Sequence, residues 1–126
     1  MAEKMKILAV DDDAAVCELY ERGLAALGYD VFCASSGARA KKYLEREKPD
    51  VILMDIMMAD EDGITLTREI RSNPKTAEIP ILIVSGLSDA ATLNDALLFG
   101  ALDYLVKPID MDVLQDKLKK VFALKK

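Results

Sequence analysis

Five short apolar runs recur along the chain, and consecutive runs are separated by segments long enough to hold a helix. The third and fourth runs are continuous rather than alternating, which is typical of strands that are buried on both faces of a parallel sheet. The predicted strands are Ile7–Val10, Val31–Cys33, Val51–Met54, Ile79–Val84 and Leu102–Val106.

The segments between and after these runs carry apolar residues at helical spacing. Gly28 can end the first helix, while Asp110 can cap the last one and Ile109 can pack onto Leu114. The pattern predicts one (βα)5 domain over residues 1–126, with helices on both faces of a parallel sheet. The predicted helical stripes are Val16, Leu19, Tyr20, Leu24 and Leu27; Ala40, Tyr43 and Leu44; Ile64, Leu66 and Ile70; Leu93, Ala96, Leu97 and Gly100; and Leu114, Leu118, Val121 and Phe122.

The charge of the chain is concentrated in two places. Among 126 residues, 17 Lys and Arg oppose 22 Asp and Glu, for a net charge of −5. Seven of the acids lie in Asp11–Asp13 and Asp55–Asp62, which contain no Lys or Arg. Two carboxylates ~4 Å apart repel by about 4 kcal/mol at an effective dielectric constant of roughly 20. Converging carboxylates therefore imply a bound cation or protonation.

Several classes of function are disfavoured. An acidic chain lacks the basic surface of a nucleic-acid-binding protein, and no apolar run is long enough to span a membrane. The first residues lack the apolar core of a signal peptide, and the basic tail Lys117–Lys126 is interpreted as a solvated helix face. We therefore expect no direct contact with nucleic acid or membrane.

Histidine is absent, which excludes Ser-His and Cys-His catalysis and imidazole metal sites. Cys17 and Cys33 have neither CxxC nor metal-ligand spacing, and both lie among apolar residues. They are predicted to be buried free thiols in a reducing cytoplasm.

Polar residues follow four of the predicted strands, at the sheet edge where open α/β folds place their chemistry. They are Asp11–Asp13, Asp55, Ser85 and Lys107. Taken singly, a carboxylate can cap a helix, a hydroxyl can begin a turn and an ammonium can be solvated. Asp55 is harder to explain in this way, because it interrupts the apolar segment Val51–Met58. A carboxylate in such a segment needs a partner that offsets the cost of burying its charge. The side chains of the two methionines after it are predicted to pack on the core or its flank.

The residue types at this edge suit phosphoryl transfer. Oxygen ligands without His or Cys favour Mg2+, with Mn2+ as an alternative, over Zn2+. Lys107 is the only Lys or Arg between positions 75 and 117, so it is expected to pair with a carboxylate or an incoming anion. In such a site Asp55 would be the nucleophile, and Ser85 would donate to a phosphoryl oxygen. No glycine-rich nucleotide-binding motif is present.

Four segments, in order, resemble motifs of the receiver domain of bacterial two-component response regulators. They are Leu8–Asp13, Asp50–Met58 followed by Asp62–Gly63, Ile81–Gly86, and Gly100–Pro108. The resemblance covers essentially the whole chain and is nearest to single-domain chemotaxis regulators. It implies a doubly wound flavodoxin-like fold with a five-stranded parallel sheet in the order 2-1-3-4-5.

The resemblance also implies the chemistry of the site. Asp55 would accept a phosphoryl group from phosphohistidine on a sensor histidine kinase or a histidine phosphotransfer protein, or from a small donor. Asp12 would bind Mg2+ directly and Asp11 through water, and Asp55 with the backbone carbonyl of Met57 would complete the metal site. The protein would be a cytoplasmic switch rather than a turnover enzyme.

Further residues would relay the signal in such a family. Lys107 would contact the phosphoryl oxygen, and Ser85 would form a hydrogen bond to it on activation. Tyr104 would swing inward as Ser85 moves. The target protein would bind the face built from the fourth helix, fifth strand and fifth helix. Leu98 falls opposite the Leu93 and Leu97 stripe on a helical wheel, so it is either an isolated exposed apolar residue or a contact on that face. The Lys107–Pro108 bond is expected to be cis.

Two departures from the family pattern are Ala59, where Pro is usual, and Gly86, where Ala is common. The acids Asp13, Asp60, Glu61 and Asp62 are interpreted as loop or capping groups at the rim of the site. One alternative is a degenerate receiver that acts only as a protein-binding module, against which the full residue set argues. Another is a haloacid-dehalogenase-like hydrolase, but Met57 stands where its second Asp would be. Whether the chain is a whole regulator or part of a longer one is left open.

Overall fold

The structure, a computed structural model, describes residues 4–86 and 90–124. In this part of the chain, five strands alternate with five helices. The strands are β1 (Lys6–Val10), β2 (Asp30–Ala34), β3 (Val51–Met54), β4 (Ile81–Ser85) and β5 (Asp103–Val106). The helices are α1 (Ala14–Ala26), α2 (Gly37–Arg46), α3 (Gly63–Ser72), α4 (Ala90–Leu98) and α5 (Met111–Leu124). Residues 1–3, where no signal-peptide core is expected, lie outside the described residues. So do Lys125 and Lys126, the last two lysines of the basic tail.

The strands form one parallel sheet in the order β2-β1-β3-β4-β5, which confirms the implied topology. Every residue of β3 and β4 is buried, as their continuous apolar pattern predicts. Side chains of α1 and α5 pack on one face, and those of α2, α3 and α4 pack on the other. The chain changes direction between β1 and β3, so the crevice at their carboxyl ends is the expected position of a site. No helix among the described residues has the length and apolarity needed to cross a bilayer.

Aspartates start three of the helices by accepting bonds from otherwise unpaired N–H groups. Asp13 accepts from Ala15 and Val16 at α1, and Asp62 accepts from the first turn of α3. Asp110 accepts from the first turn of α5, which confirms the predicted cap. Gly28 follows α1 with φ 96°, a backbone angle that favours glycine at a helix end.

Some predicted boundaries and core positions are wrong. β4 begins at Ile81 rather than Ile79, because Pro80 has no N–H for the ladder, and the strand includes Ser85. In α1 the predicted stripe is too wide, since Leu19 and Leu27 are 40% and 43% exposed. Only Tyr20 and Leu24 of that helix are buried, so α1 rests on the sheet by a narrow face.

The prediction for the cysteines is also wrong. Cys17 and Cys33 form a disulfide with a Cα–Cα distance of 5.6 Å, and both are half-buried rather than buried. Cys17 lies in the first turn of α1, which packs against β2 and so brings it beside Cys33. Sequence spacing identifies local cysteine motifs, whereas this contact is created by tertiary packing.

Candidate functional site

The end of β1 carries two aspartates in different environments. Asp11 is 1% exposed, and its main-chain N–H donates to the carbonyl of Ala34 at 3.1 Å. The N–H of Asp13 donates to Oδ1 of Asp11 at 2.9 Å. Asp12 is exposed, and its Oδ2 accepts from the N–H of Ala59 at 2.9 Å. The loop after β1 therefore holds one buried and one solvent-accessible carboxylate.

Asp55 follows β3 directly and is 6% exposed. Its N–H donates to the carbonyl of Val10 at 3.0 Å, which continues the pairing of β3 with β1. Gly63, at the start of α3, lies against the main chain of Asp55, and a Cβ at that position would clash with the Asp55 carbonyl. The Asp62–Gly63 pair thus combines a helix cap with a glycine that lets α3 approach the site.

The carboxylates of Asp11, Asp12 and Asp55 converge, with one oxygen of each lying within 4.8 Å of the others. Nζ of Lys107 lies 2.7 Å from Oδ2 of Asp11 and 3.5 Å from Oδ2 of Asp55. The expected pairing of this isolated lysine with a carboxylate is confirmed. Lys107 pairs with two of the three carboxylates, so negative charge is in excess. This all-oxygen donor set suits a hard divalent cation such as Mg2+ or Mn2+.

The electrostatics of the cluster follow from burial. Burial raises the pKa of Asp55, and the charge of Asp11 raises it further, while Lys107 and the N–H of Met57 partly offset this. Burial alone would lower the pKa of Lys107, but its bonds to Asp11 and Asp55 outweigh burial, and its pKa is raised. Asp55 therefore holds its proton more readily than a solvated aspartate does, and the ammonium of Lys107 is retained.

The carboxyl ends of β4 and β5 are joined at the site. Ser85 is 1% exposed, and its carbonyl accepts from the N–H of Lys107 at 2.8 Å. The Lys107–Pro108 peptide is cis, as expected. Tyr104 lies opposite Ile83 in β4 and is half-buried against the α2–α4 face of the sheet. The structure thus brings Asp11, Asp12, Asp55 and Lys107 into one cluster and joins Ser85 to it through the main chain.

The residues after Asp55 only partly match expectation. The side chain of Met57 is 64% exposed, so its predicted packing on the core is wrong, because this loop runs outward from the sheet end. Met58 does pack against the α2–α4 core. The assigned roles of Ser85, Tyr104 and the carbonyl of Met57 remain predictions.

The rim acids mostly have structural partners. Asp13 and Asp62 are the helix caps described above, and Asp60 accepts from the N–H groups of Gly37 and Ala38 at 3.1 Å each. Glu61 pairs with Lys41 at 2.9 Å. These acids lie outside the converging cluster, as predicted.

Sequence reasoning missed two contributors. Tyr20 was assigned to an apolar stripe, but burial raises the pKa of its phenol, and the charges of Asp11 and Asp55 raise it further. A tyrosine within a helical stripe carries no sequence signal for such proximity. Ala59 was noted only as a departure in the loop, yet its N–H is the donor to Asp12.

Comparison with known proteins agrees with this geometry. A family model for the response regulator receiver domain matches residues 7–119. Transcriptional regulatory protein ZraR of Escherichia coli K12 is 41% identical over 122 residues, which are 96% of this chain and 27% of that protein. The chain therefore spans about a quarter of that curated relative.

Solved structures give the same assignment. Chemotaxis protein CheY4 of Vibrio cholerae superposes with a TM-score of 0.90 at 27% identity, covering 94% of this chain and 99% of that one. The receiver domain of sensor histidine kinase PA1611 of Pseudomonas aeruginosa PAO1 has a TM-score of 0.87 at 31% identity, covering 96% of this chain and 99% of that one. That structure has a magnesium ion coordinated in its active-site cleft. The chain belongs to the response regulator receiver domain family of two-component signalling systems.

Proposed function

We propose that this receiver domain is a phosphoacceptor switch in which Asp55 receives a phosphoryl group in a Mg2+-dependent reaction. The donor is phosphohistidine on a sensor histidine kinase or a histidine phosphotransfer protein. The observation that carries the proposal is the convergence of three carboxylates within 4.8 Å, with Nζ of Lys107 3.5 Å from Asp55. A carboxylate beside a retained ammonium supplies an oxygen nucleophile together with a counter-charge for the incoming phosphoryl group.

In the proposed transfer, an Asp55 carboxylate oxygen forms a bond to phosphorus while the P–N bond to the donor imidazole breaks. The electron pair of the P–N bond returns to the imidazole nitrogen. Lys107 balances the charge on one phosphoryl oxygen, and the hydroxyl of Ser85 donates a hydrogen bond to another phosphoryl oxygen.

The same centre would hold Mg2+, or Mn2+ in its place, through this chain's oxygens. Asp12 would bind the metal directly, Asp11 would bind it through water, and Asp55 with the carbonyl of Met57 would complete the protein ligands. A metal bound there would neutralise charge on the phosphoryl oxygens.

The output of the switch is a change in partner affinity. Phosphorylation would draw Ser85 toward Asp55 and let Tyr104 turn inward, which would alter the α4-β5-α5 face. This face exposes large apolar side chains, with Leu98 77% and Leu102 47% exposed. We propose that a downstream protein binds there and that Leu98 contributes to the contact.

The proposal places the protein in the cytoplasm as a signalling module rather than a turnover enzyme. A degenerate receiver would be expected to lack part of the converging set, whereas Asp11, Asp12, Asp55, Ser85 and Lys107 are all present. A haloacid-dehalogenase-like hydrolase would need a second acid at position 57, which is a methionine.

Incubation with Mg2+ and acetyl phosphate, followed by intact-mass measurement, tests the proposal. We expect one phosphoryl adduct on the wild type and none on Asp55→Asn. Asp13→Asn is the matched control, since it changes a neighbouring acid but asparagine still caps α1, and it is expected to keep the adduct. Absence of an adduct on the wild type, together with absence of Mg2+ binding, would overturn the proposal.

A further inference from the structure

The Cys17–Cys33 disulfide lies directly behind the loop that carries Asp11. The bridge joins the first turn of α1 to β2, where Cys33 is in register with Ala9 of β1. Sγ of Cys17 lies 3.2 Å from the main-chain oxygen of Asp11. The residue after Cys33 is Ala34, whose carbonyl accepts from the N–H of Asp11.

Both main-chain polar groups of Asp11 therefore contact segments that the disulfide ties together. The same loop also carries Asp12, so the bridge fixes the backbone from which two of the three converging carboxylates project. Without the bridge, the start of α1 and the end of β2 would be held by packing and hydrogen bonds alone. Outer contacts of this kind orient metal ligands, and changing them alters metal affinity.

The disulfide is not sealed within the core. Both cysteines are half-buried, and Cys33 lies on β2, which is the edge strand of the sheet. A disulfide that is partly open to solvent is available for exchange with other thiols.

We propose that Cys17 and Cys33 are a reversible redox modification site that sets the metal affinity of the acidic centre. A dithiol reductant attacks Sγ of Cys33, and the bond to Cys17 breaks, so that Cys17 leaves as a thiolate and takes up a proton. The second thiol of the reductant then releases Cys33, and the reductant ends as a disulfide. Two electrons and two protons pass to the protein, and the reduced loop binds Mg2+ more weakly. The functional consequence rests on the proposed role of Asp55.

The test compares the oxidised full chain with the same chain reduced by dithiothreitol and freed of excess reductant under nitrogen. Alkylation followed by intact-mass measurement counts the thiols, with none expected before reduction and two after. The bridge closes a short loop, so reduction is expected to lower the Tm by about 10 °C in chelator. Mg2+ titration followed by amide NMR shifts is expected to give a Kd about tenfold weaker for the reduced form.

The double variant Cys17→Ser, Cys33→Ser is the control, and it is expected to match the reduced wild type under both conditions. Free thiols in the oxidised preparation, or equal Mg2+ affinity in two forms with proven thiol counts, would overturn this inference. If the acetyl phosphate adduct forms on Asp55 equally in both redox states, only the redox coupling fails. If neither form binds Mg2+ or gains the adduct, the proposed function fails as well.

Discussion

Among the described residues, two lysines each bridge a pair of carboxylates, and the two clusters behave differently. In the buried cluster, Lys107 lies 2.7 Å from Asp11 and 3.5 Å from Asp55. In the surface cluster, Lys41 lies 2.9 Å from Glu61 and 2.8 Å from Glu69. By charge and distance alone, the surface cluster is the better ion-pair network.

Burial separates the two clusters. The side chains of Asp11 and Asp55 are 1% and 7% exposed, whereas Glu69 and Lys41 are 44% and 46% exposed. Solvated pairs contribute little to stability, because water and salt screen them. Charges removed from water depend on their partners, and removing one partner leaves the other without compensation.

The repulsion between neighbouring carboxylates is also relieved differently in the two clusters. Hydrogen bonding to Glu69 and burial raise the pKa of Glu61, while Glu61 and Lys41 lower the pKa of Glu69. The surface pair can therefore take up one proton between them. Both glutamates have flexible methylenes, and Glu69 is 44% exposed whereas Glu61 is 18% exposed. The buried aspartates are held by main-chain bonds at strand ends, so protonation or the proposed bound cation would relieve their repulsion. The proposed function uses the cluster whose carboxylates cannot move apart.

The largest expected difference comes from removing each lysine. Lys107→Met should lower the free energy of unfolding in chelator by about 2–3 kcal/mol, because it removes the ammonium that pairs with both Asp11 and Asp55. Lys41→Met should cost less than about 1 kcal/mol, because Glu69 is 44% exposed and the two glutamates can share a proton. Urea denaturation of both variants measures this. Equal losses would show that burial does not distinguish the clusters.

Much of this contrast could be predicted from sequence. The run Val51–Met54 predicts β3 to the residue, and Asp55 is conspicuous because it interrupts an apolar segment. Lys107 is conspicuous because no other basic residue lies near it in sequence. Parallel strands bring such residues to one edge, so their convergence follows from the topology.

The rest depended on tertiary geometry. The N–H of Ala59 as donor to Asp12 and the Cys17–Cys33 bridge both join segments that no local pattern connects. The exposure of Leu19 depends on how narrowly α1 rests on the sheet, and a helical stripe gives only the direction of the face. Sequence patterns thus identify the candidate ligands but not the contacts that hold them.

A second comparison neutralises one acid in each cluster. Asp55→Asn should stabilise the protein by about 1 kcal/mol in chelator, because burial and the charge of Asp11 disfavour the ionised carboxylate. Glu61→Gln should change stability by less than about 0.5 kcal/mol. Thermal denaturation in chelator and in Mg2+ measures both. Mg2+ should raise the Tm of Glu61→Gln and leave that of Asp55→Asn almost unchanged, and the reverse pattern would contradict this assignment.

A third test concerns the exposed member of the acidic centre. Ala59→Pro removes the N–H that donates to Asp12 at 2.9 Å. The Asp12 carboxylate no longer has to give up this hydrogen bond in order to bind a cation. The Kd for Mg2+ should therefore fall by about threefold, which corresponds to part of the free energy of a typical hydrogen bond. Ala59→Gly keeps the N–H and should not tighten binding. Isothermal titration calorimetry measures the Kd for Mg2+ of the wild type and the two variants. Equal Kd values would mean that the hydrogen bond from Ala59 does not compete with the metal.

The smallest effect is expected for an ion pair of intermediate exposure. Lys117 lies 2.7 Å from Asp103, and their side chains are 25% and 43% exposed. Burial alone would raise the pKa of Asp103, but the bonds from Lys117 and from the N–H of Tyr104 outweigh it, and the pKa is lowered. A carboxyl with a depressed folded-state pKa contributes stability above its unfolded pKa and loses it as pH falls through the folded value.

We therefore expect wild type to exceed Asp103→Asn in stability by less than about 0.5 kcal/mol near neutral pH, since solvent screens a pair this exposed. The difference should vanish on acidification from about pH 4 to about pH 2, where Asp103 is protonated in both states. Urea denaturation across this range measures it, with Lys117→Met as the control that removes the partner but keeps the carboxylate. A difference that persists at low pH would assign the loss to packing rather than charge. It would place this pair with the solvated surface cluster, where the charges themselves add almost nothing.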